Sequence, residues 1–261
     1  MAELVTDAIV LRRVDFGDAD LILTLFTRSA GKLSALGRAA RKSRRRFGGA
    51  LGSFTRSQAT LRRRPRSDLW TLTSAMPVKT YDRLALDVTA LAHASYATEL
   101  VRELVASEVE EPEIFDLLID LYEQVAAAGG RPPLLRAFEL ALLRHVGVEP
   151  VFEACSSCGR DRGDFEAGAI FDPAAGGIAC RKCAARSLGL GVRPLSDAAL
   201  ERLVEYAAVG SLEQAAGLDP RAEGAGEARD TMIAIIRNQV PGQLKSLEFV
   251  SKMNAQAPGN T

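Results

Sequence analysis

The first eighty residues alternate between apolar and polar side chains, which is the pattern of half-buried β-strands. The stretch TDAIVLRRVDFGDADLILTLFT alternates around a Gly-Asp turn, GKLSALGRAA follows the turn RSAG, and FTRSQATLRRRPRSDLWTLTSAM holds two further runs. About five strands with short loops are therefore predicted. A small antiparallel barrel is the natural closure, and the five-stranded OB-fold and the SH3-like barrel both fit this pattern.

From Tyr81 onward the apolar residues recur at helical spacing. The segments EPEIFDLLIDLYEQVAAAGG and PPLLRAFELALLRHVG begin near prolines and end at glycine, and SDAALERLVEYAAVG starts at a predicted N-cap, Ser196. The sequence thus predicts an α+β protein with a five-stranded barrel domain over residues 1–80 and an α-helical domain over 81–250. A cysteine segment at about 150–186 interrupts the helices, and residues 251–261 are predicted to be a disordered tail.

The net charge of zero conceals a division between the two parts of the chain. Residues 1–80 contain sixteen Lys and Arg against six Asp and Glu, whereas residues 81–261 contain seventeen against twenty-seven. This asymmetry favours a polyanion-binding module joined to an acidic helical body. There is no run of eighteen apolar residues and no secretory signal at the N-terminus, so we expect a soluble, cytoplasmic protein.

All four cysteines fall in two CxxC pairs, CSSC and CRKC, separated by twenty-one residues. Four thiolates at this spacing satisfy a tetrahedral zinc ion and leave no open coordination position. The intervening stretch can form a hairpin from AIFDP to GIAC, which is the shape of a zinc ribbon. We therefore predict a structural Zn²⁺ held by Cys155, Cys158, Cys180 and Cys183; a redox CxxC is the alternative.

Basic residues crowd the stretch GRAARKSRRRFGGALGSF and the strand and turn that follow it. The candidate DNA contacts are Arg38, Arg41, Lys42, Arg44, Arg45, Arg46, Arg56, Arg62, Arg63, Arg64 and Arg66. Guanidinium groups bind phosphate bidentately, and the absence of a base-reading motif predicts sequence-tolerant binding. Trp70 and Phe54 are expected in the barrel core, while Phe47 is open between core packing and base stacking.

Nothing in the sequence assembles a catalytic constellation. There is no P-loop, and both histidines, His93 and His145, lie on predicted helices as packing or polar residues. The acids of VDFGDADL are turn formers in a strand-turn-strand. We expect a protein that is not an enzyme.

Several stretches together resemble the RecO family of bacterial recombination mediators. They are AIVLRRVDFGDADLILTLFT, ARKSRRRFGGALGSFT, FELALLRHVGVEPVFEACSSCG and LKSLEFV, and the resemblance covers about residues 1–250. It implies an N-terminal OB-fold, a helical domain and, in zinc-bearing members, a four-cysteine site. The basic residues from Arg38 to Arg46 match the family's DNA-contacting segment, and the four cysteines match its zinc ligands.

The resemblance also implies function. RecO proteins bind single- and double-stranded DNA, anneal complementary strands and work with RecR. They engage the acidic tail of single-strand binding protein and help to place RecA on DNA, in the bacterial cytoplasm at the nucleoid. A groove beside Arg136 or Arg144 is a hypothesis for the tail site. About 6–10 neutralised phosphates would weaken binding about 10³- to 10⁵-fold between 50 and 200 mM salt.

Three alternatives remain open from the residues. A zinc-ribbon factor of transcription or translation would bind nucleic acid without annealing it. A zinc-dependent nucleic-acid enzyme would need an open metal position. In the third alternative, the basic face of the barrel meets an acidic protein instead of DNA.

Overall fold

The computed structural model describes residues 3–63 and 67–247, and Arg64, Arg66 and the predicted tail at 251–261 lie outside these residues. The strands are β1 (Glu3–Phe16), β2 (Asp20–Thr27), β3 (Gly31–Gly37), β4 (Thr55–Arg62), β5 (Trp70–Thr80), β6 (Ala169–Asp172), β7 (Gly177–Ala179) and β8 (Arg193–Leu195). The helices are α1 (Arg44–Phe47), α2 (Val88–Leu104), α3 (Pro112–Ala128), α4 (Pro132–His145), α5 (Arg181–Ala184), α6 (Asp197–Ala208), α7 (Leu212–Gly217) and α8 (Ala225–Gln239). Short 3₁₀ turns lie at Asp82–Ala85 and Arg162–Asp164.

The first five strands form a closed barrel in the order β1-β2-β3-β5-β4. All neighbours are antiparallel except β3 and β5, which run parallel and pair only from Ala35 to Gly37 on β3. Strand β1 is long enough to pair with β2 along its second half and with β4 along its first half, which closes the barrel. This Greek-key closure of five strands is the OB-fold, and it confirms the predicted fold class.

Alternation along the strands fills the barrel interior. Leu21, Leu23 and Leu25 of β2 face inward, together with Leu61 of β4 and Leu72 of β5. The other face of β1 is also buried near Ile9, which is fully inaccessible to solvent and lies on the strand that α2 contacts. A strand buried on both faces explains why AIVL, residues 8–11, is a continuous apolar run.

The beginning of β3 is covered by an irregular segment after α2. Ser107 forms a parallel bridge with Lys32, and the amide of Glu108 donates to the carbonyl oxygen of Lys32 at 2.8 Å. Gly31 has φ of +65°, and a Cβ there would lie 1.8 Å from the carbonyl oxygen of Val109, so only glycine fits this close approach. The segment thereby satisfies a strand edge that β5 leaves unpaired.

Helices α2 and α3 pack against the barrel and belong to the same compact unit. Phe115 of α3 contacts Phe26 of β2 with ring centroids 5.7 Å apart, and Asp116 pairs with Arg28 at 2.8 Å. This unit holds the described residues up to Gly129 together with Ser246 and Leu247. The sequence-based boundary after residue 80 marks the end of the barrel strands, whereas compact packing continues through α3.

The chain returns to this first unit at Ser246, which bonds to the buried carboxylate of Glu99 on α2. The amide of Ser246 donates to Glu99 Oε2 at 2.8 Å, and its hydroxyl donates to the same oxygen. Arg102 supplies a third donor at 2.9 Å. Burial opposes ionisation of Glu99, but Ser246 and Arg102 outweigh it and lower the pKa of this carboxyl below its usual value.

The second unit spans Gly130–Lys245 and combines helices with a small sheet. Helix α4 begins at Pro132 and Pro133, and α6 and α7 pack against it. The sheet has the order β7-β6-β8, in which β6 and β7 form the predicted hairpin and β8 adds a third strand that the sequence did not predict. Ser196 caps α6 as predicted and accepts from the amide of Ala199 at 3.2 Å. Across the described residues, we find no helix with the length and apolar character that membrane crossing requires.

Candidate nucleic-acid interface and metal centre

The basic stretch lies in the loop of residues 38–54 that links β3 to β4, hereafter the basic loop. Apolar residues anchor its second half, because Phe47, Ala50 and Leu51 are all buried in the barrel core. Phe47 is only 3% exposed, so it packs in the core and presents no face to a base. The hydroxyl of Ser57 on β4 donates to the carbonyl oxygen of Ala50 at 2.6 Å and fixes the loop further.

Arg46 turns inward and braces the basic loop. Its Nη2 donates to the carbonyl oxygen of Arg38 at 2.6 Å, and its Nε donates to Ser43 Oγ at 3.1 Å. Its guanidinium group also lies 4.9 Å from the centre of the Phe47 ring. Arg46 therefore holds the two ends of the arginine run together, whereas the sequence placed it among the DNA contacts.

Five cations of the loop are exposed, and we call them the outward cations. They are Arg38, Arg41, Lys42, Arg44 and Arg45. Arg41 approaches Asp15 of β1 at 3.7 Å, and within residues 3–63 and 67–247 the other four side chains have no carboxylate partner. The loop backbone is tied to the β1–β2 turn, since the amide of Ala39 donates to Asp20 Oδ1 at 2.7 Å. The structure thus brings these five predicted residues together on one ordered segment.

Three residues of the second group of predicted contacts, Arg56, Arg62 and Arg63, are paired with carboxylates, and Arg64 and Arg66 lie outside the described residues. Arg56 bonds to Asp7 through Nε at 2.9 Å, and Arg62 bonds to Glu3 at 2.8 Å. Arg63 reaches Glu108 at 3.2 Å. Pairing cancels most of the field that these cations would project, so the two basic groups are not equivalent. The sequence interpretation treated them as one cationic surface.

Glu108 organises the start of the β4–β5 connection. It accepts from the indole nitrogen of Trp70 at 3.1 Å and from Arg63, and these two donors lower the pKa of its carboxyl. The guanidinium of Arg63 lies 5.3 Å from the Trp70 ring centre. Trp70 packs against the barrel core, and the Phe54 ring meets Tyr122 of α3 edge-on at 5.5 Å. Trp70 therefore packs against the barrel core as expected, whereas the half-buried Phe54 packs against α3 instead of in the barrel core.

A groove of about 500 Å³ separates the basic loop from the β1–β2 hairpin. Arg41 and Arg44 line one side, and Arg13 and Asp15 of β1 line the other. The sequence interpretation did not include Arg13, although it stands beside the VDFGDAD turn that the structure brings to the basic loop. The sequence signal that could have identified Arg13 is the pair of adjacent arginines that follows the apolar run of β1.

The four cysteine sulfurs lie within 4.8 Å of one another. Sulfurs bound to one tetrahedral zinc ion at about 2.3 Å would be roughly 3.8 Å apart, so the arrangement fits a closed four-thiolate site. Backbone hydrogen bonds set this geometry: the amide of Ser156 donates to the carbonyl oxygen of Ile178 at 2.8 Å, which docks the first CxxC pair on β7. Cys180 directly follows β7 and precedes α5, and Cys183 lies in the single turn of α5.

The local environment shifts the pKa values of Cys155 and Cys183 in opposite directions. Burial raises the pKa of Cys155, but amides of Cys180, Cys158 and Ser157 outweigh it and hold the pKa at about 6. Contacts with the sulfurs of Cys158 and Cys180 raise the pKa of Cys183 to about 12. Four thiolates this close repel one another unless a cation lies between them, and the cluster therefore has the chemistry of a metal site.

The two arginines considered for a peptide-tail site differ sharply. Arg136 is buried on α4 and pairs with Glu139 at 2.9 Å, so it is not accessible to a peptide. Arg144 is exposed and pairs with Glu149 at 2.7 Å. Of these two arginines on α4, only Arg144 is accessible, so the hypothesis of a groove for the peptide tail now applies to Arg144 alone.

An OB-fold barrel with a cation-rich loop is an architecture typical of nucleic-acid-binding proteins, here joined to a helical unit with a four-cysteine site. Two family models match the chain. They are "Recombination protein O N terminal" over residues 1–81 and "Recombination protein O C terminal" over residues 85–248. The chain therefore belongs to the RecO family, as the sequence resemblance predicted. Family membership supports a role in DNA repair and recombination.

Curated relatives agree with this assignment. The chain is 42% identical over 249 residues to a "DNA repair protein RecO" of Anaeromyxobacter dehalogenans, covering 94% of each chain. It is 34% identical over 247 residues to the protein of that name from Myxococcus xanthus, covering 95% of this chain and 96% of the relative. A third, from Symbiobacterium thermophilum, is 34% identical over 259 residues, with 98% and 99% covered.

Proposed function

We propose that this protein is a DNA-repair and recombination mediator that binds single- and double-stranded DNA and anneals complementary strands. The observation that carries the proposal is the set of five outward cations on one anchored loop, four of them without a carboxylate partner in the described parts of the chain. Like charges held together on a rigid segment repel one another, and phosphates relieve that repulsion while releasing counterions. Binding should be tolerant of sequence because phosphate contacts dominate it.

Annealing by this route needs no catalytic group. The cationic loop lowers the repulsion between two strands and raises their local concentration, and base pairing supplies the free energy. We therefore propose that the protein is not an enzyme. The four-cysteine site, which we propose holds Zn²⁺ through Cys155, Cys158, Cys180 and Cys183, has a structural role because four thiolates complete the tetrahedral shell.

The proposal extends to partners and location by family. The protein would act with RecR, engage the acidic tail of single-strand binding protein and assist RecA loading on DNA coated by that protein, in the bacterial cytoplasm at the nucleoid. Annealing of coated complementary strands with and without RecR tests this part directly. Failure of annealing on coated strands, despite annealing of naked ones, would restrict the function to protein-free DNA.

The structure changes the expected salt dependence. If each of the five outward cations neutralises one phosphate of a single strand, log K falls with log[salt] at a slope of about −3.5. Affinity would then drop about 100-fold between 50 and 200 mM salt, less than the sequence-based range, because Arg56, Arg62 and Arg63 are paired with carboxylates. A flat dependence would contradict the proposal.

A pair of charge-matched variants tests the loop itself. Arg44→Gln/Arg45→Gln removes two unpaired cations and should reduce the slope by about 1.4 for single strands. Arg28→Gln/Arg62→Gln removes the same net charge from cations that are paired with Asp116 and Glu3. Fluorescence polarisation with a labelled oligonucleotide should separate the two variants, and equal losses would mean that the loop has no special role.

A further inference from the structure

The β1–β2 hairpin presents two different faces. Arg13 pairs across the hairpin with Leu23, and Asp15 pairs with Leu21. Directly opposed residues point to the same side of a sheet, and both leucines belong to the barrel interior. Arg13 and Asp15 therefore project from the inner face, toward the basic loop, whereas the neighbouring Arg12 projects from the outer face.

The inner face and the basic loop enclose the groove of about 500 Å³. Arg41 and Arg44 stand on the loop side and Arg13 on the hairpin side, so guanidinium groups occupy both walls. The rest of the lining apart from Asp15, here called the floor, is uncharged and includes Leu21, Phe47, Gly48 and Gly49. Gly49 has φ of +84°, and a Cβ at this position would meet no atom within 4 Å, so this part of the floor is open.

This combination selects a particular form of nucleic acid. A single strand offers alternating phosphates and flat, uncharged bases, which match cationic walls and an uncharged floor. A duplex hides the faces of its bases in the stack and is too wide to enter a space of this size. We infer that the groove between hairpin and basic loop is a single-strand site, with Arg13 as the phosphate-binding residue of the second wall. The inference rests on the proposed DNA-binding function and deepens it.

Asp15 is the one acidic residue among those that line the groove in the described structure. It lies 3.7 Å from Arg41, so it partly neutralises a cation that a phosphate would otherwise contact. An incoming strand must compete with this carboxylate and meets its repulsion. Asp15 therefore limits the affinity of the groove, and its removal should strengthen binding.

Adjacent arginines on opposite faces of one strand provide a matched test. Both Arg12 and Arg13 are exposed and neither has a carboxylate partner among the residues described, so Arg12→Gln and Arg13→Gln change the net charge equally. With an oligo-dT probe, Arg13→Gln should weaken binding about tenfold, the effect of one charge-assisted hydrogen bond, and reduce the salt slope by about 0.7. Arg12→Gln should change the affinity less than about twofold, as expected of a distant, screened charge. Asp15→Asn should increase the affinity for oligo-dT a few-fold. The affinity for a blunt duplex should change little in Arg13→Gln or in Asp15→Asn.

The outcomes separate this inference from the proposed function. Equal losses from Arg12→Gln and Arg13→Gln, or weaker binding by Asp15→Asn, would overturn the groove site. An effect of Arg13→Gln on duplex binding that equals or exceeds its effect on oligo-dT binding would overturn the single-strand assignment. Failure of the unmodified protein to bind any DNA would instead overturn the proposed function. Urea unfolding of each variant, followed by the fluorescence of Trp70, verifies that the barrel is intact.

Discussion

Replacing Phe47 separates core packing from base stacking in the basic loop. A phenylalanine side chain buries about 200 Å². At about 25 cal/mol per Å² this area is worth about 5 kcal/mol, and buried Phe→Ala changes cost about 3–5 kcal/mol. Because Phe47 is 3% exposed and joins the barrel core, Phe47→Ala should approach this range. Phe47→Leu keeps most of the apolar volume and should cost less than about 1.5 kcal/mol.

Trp70 is the single tryptophan and packs against the same core, so its fluorescence reports unfolding of the barrel. With a urea m-value of about 2 kcal/mol/M, Phe47→Ala should lower the midpoint by about 2 M. Phe47→Leu should retain DNA affinity, because no aromatic face is offered to a base. Loss of DNA binding by Phe47→Leu with an unchanged urea midpoint would refute the core assignment and restore the stacking role.

Three further perturbations test other parts of the molecule. If the four-cysteine site holds the proposed Zn²⁺, a chelator, or replacement of Cys158 with serine, should destabilise the second unit, as far-ultraviolet circular dichroism would report, while the Trp70 transition stays unchanged. Arg136→Met leaves the carboxylate of Glu139 buried without its arginine and should cost about 3–5 kcal/mol in thermal unfolding, and Arg136→Met/Glu139→Leu should recover most of it. The pKa of Glu99 is below its usual value of 4.5, so the stability advantage over Glu99→Gln should be complete above that pH and should vanish as the pH falls through the lower folded-state pKa.

Local sequence patterns predicted the strands and helices well, because interactions between nearby residues determine where these elements begin and end. Alternation placed the five barrel strands, and proline and glycine signals placed the ends of α3 and α4. The CxxC spacing fixed the four-cysteine cluster and the hairpin between its halves. Strand β8 escaped prediction because its three residues are too few to show a period.

The sequence could not show which charged residues form ion pairs, because those pairs depend on the register between segments that are distant along the chain. Arg56 meets Asp7 only because β1 and β4 align antiparallel across forty-nine residues of chain. Arg63 pairs with Glu108, which lies on the irregular segment that follows α2. Arg46 was indistinguishable from its neighbours in a run of three arginines, and only the folded loop brings it to the carbonyl oxygen of Arg38, the hydroxyl of Ser43 and the Phe47 ring.

The proposed function depends on which cations of the barrel domain are paired with carboxylates and which are not. The chain has equal numbers of acidic and basic residues, so carboxylates were available to neutralise the basic loop. They are instead placed against arginines on the strands, while four loop cations keep no carboxylate partner in the described structure. Their mutual repulsion is screened only beyond about 8 Å at physiological salt, and it would spread a flexible loop. Burial of Phe47 and the inward bonds of Arg46 hold the loop against that repulsion. An anion removes the repulsion, so phosphate binding and loop order should reinforce each other.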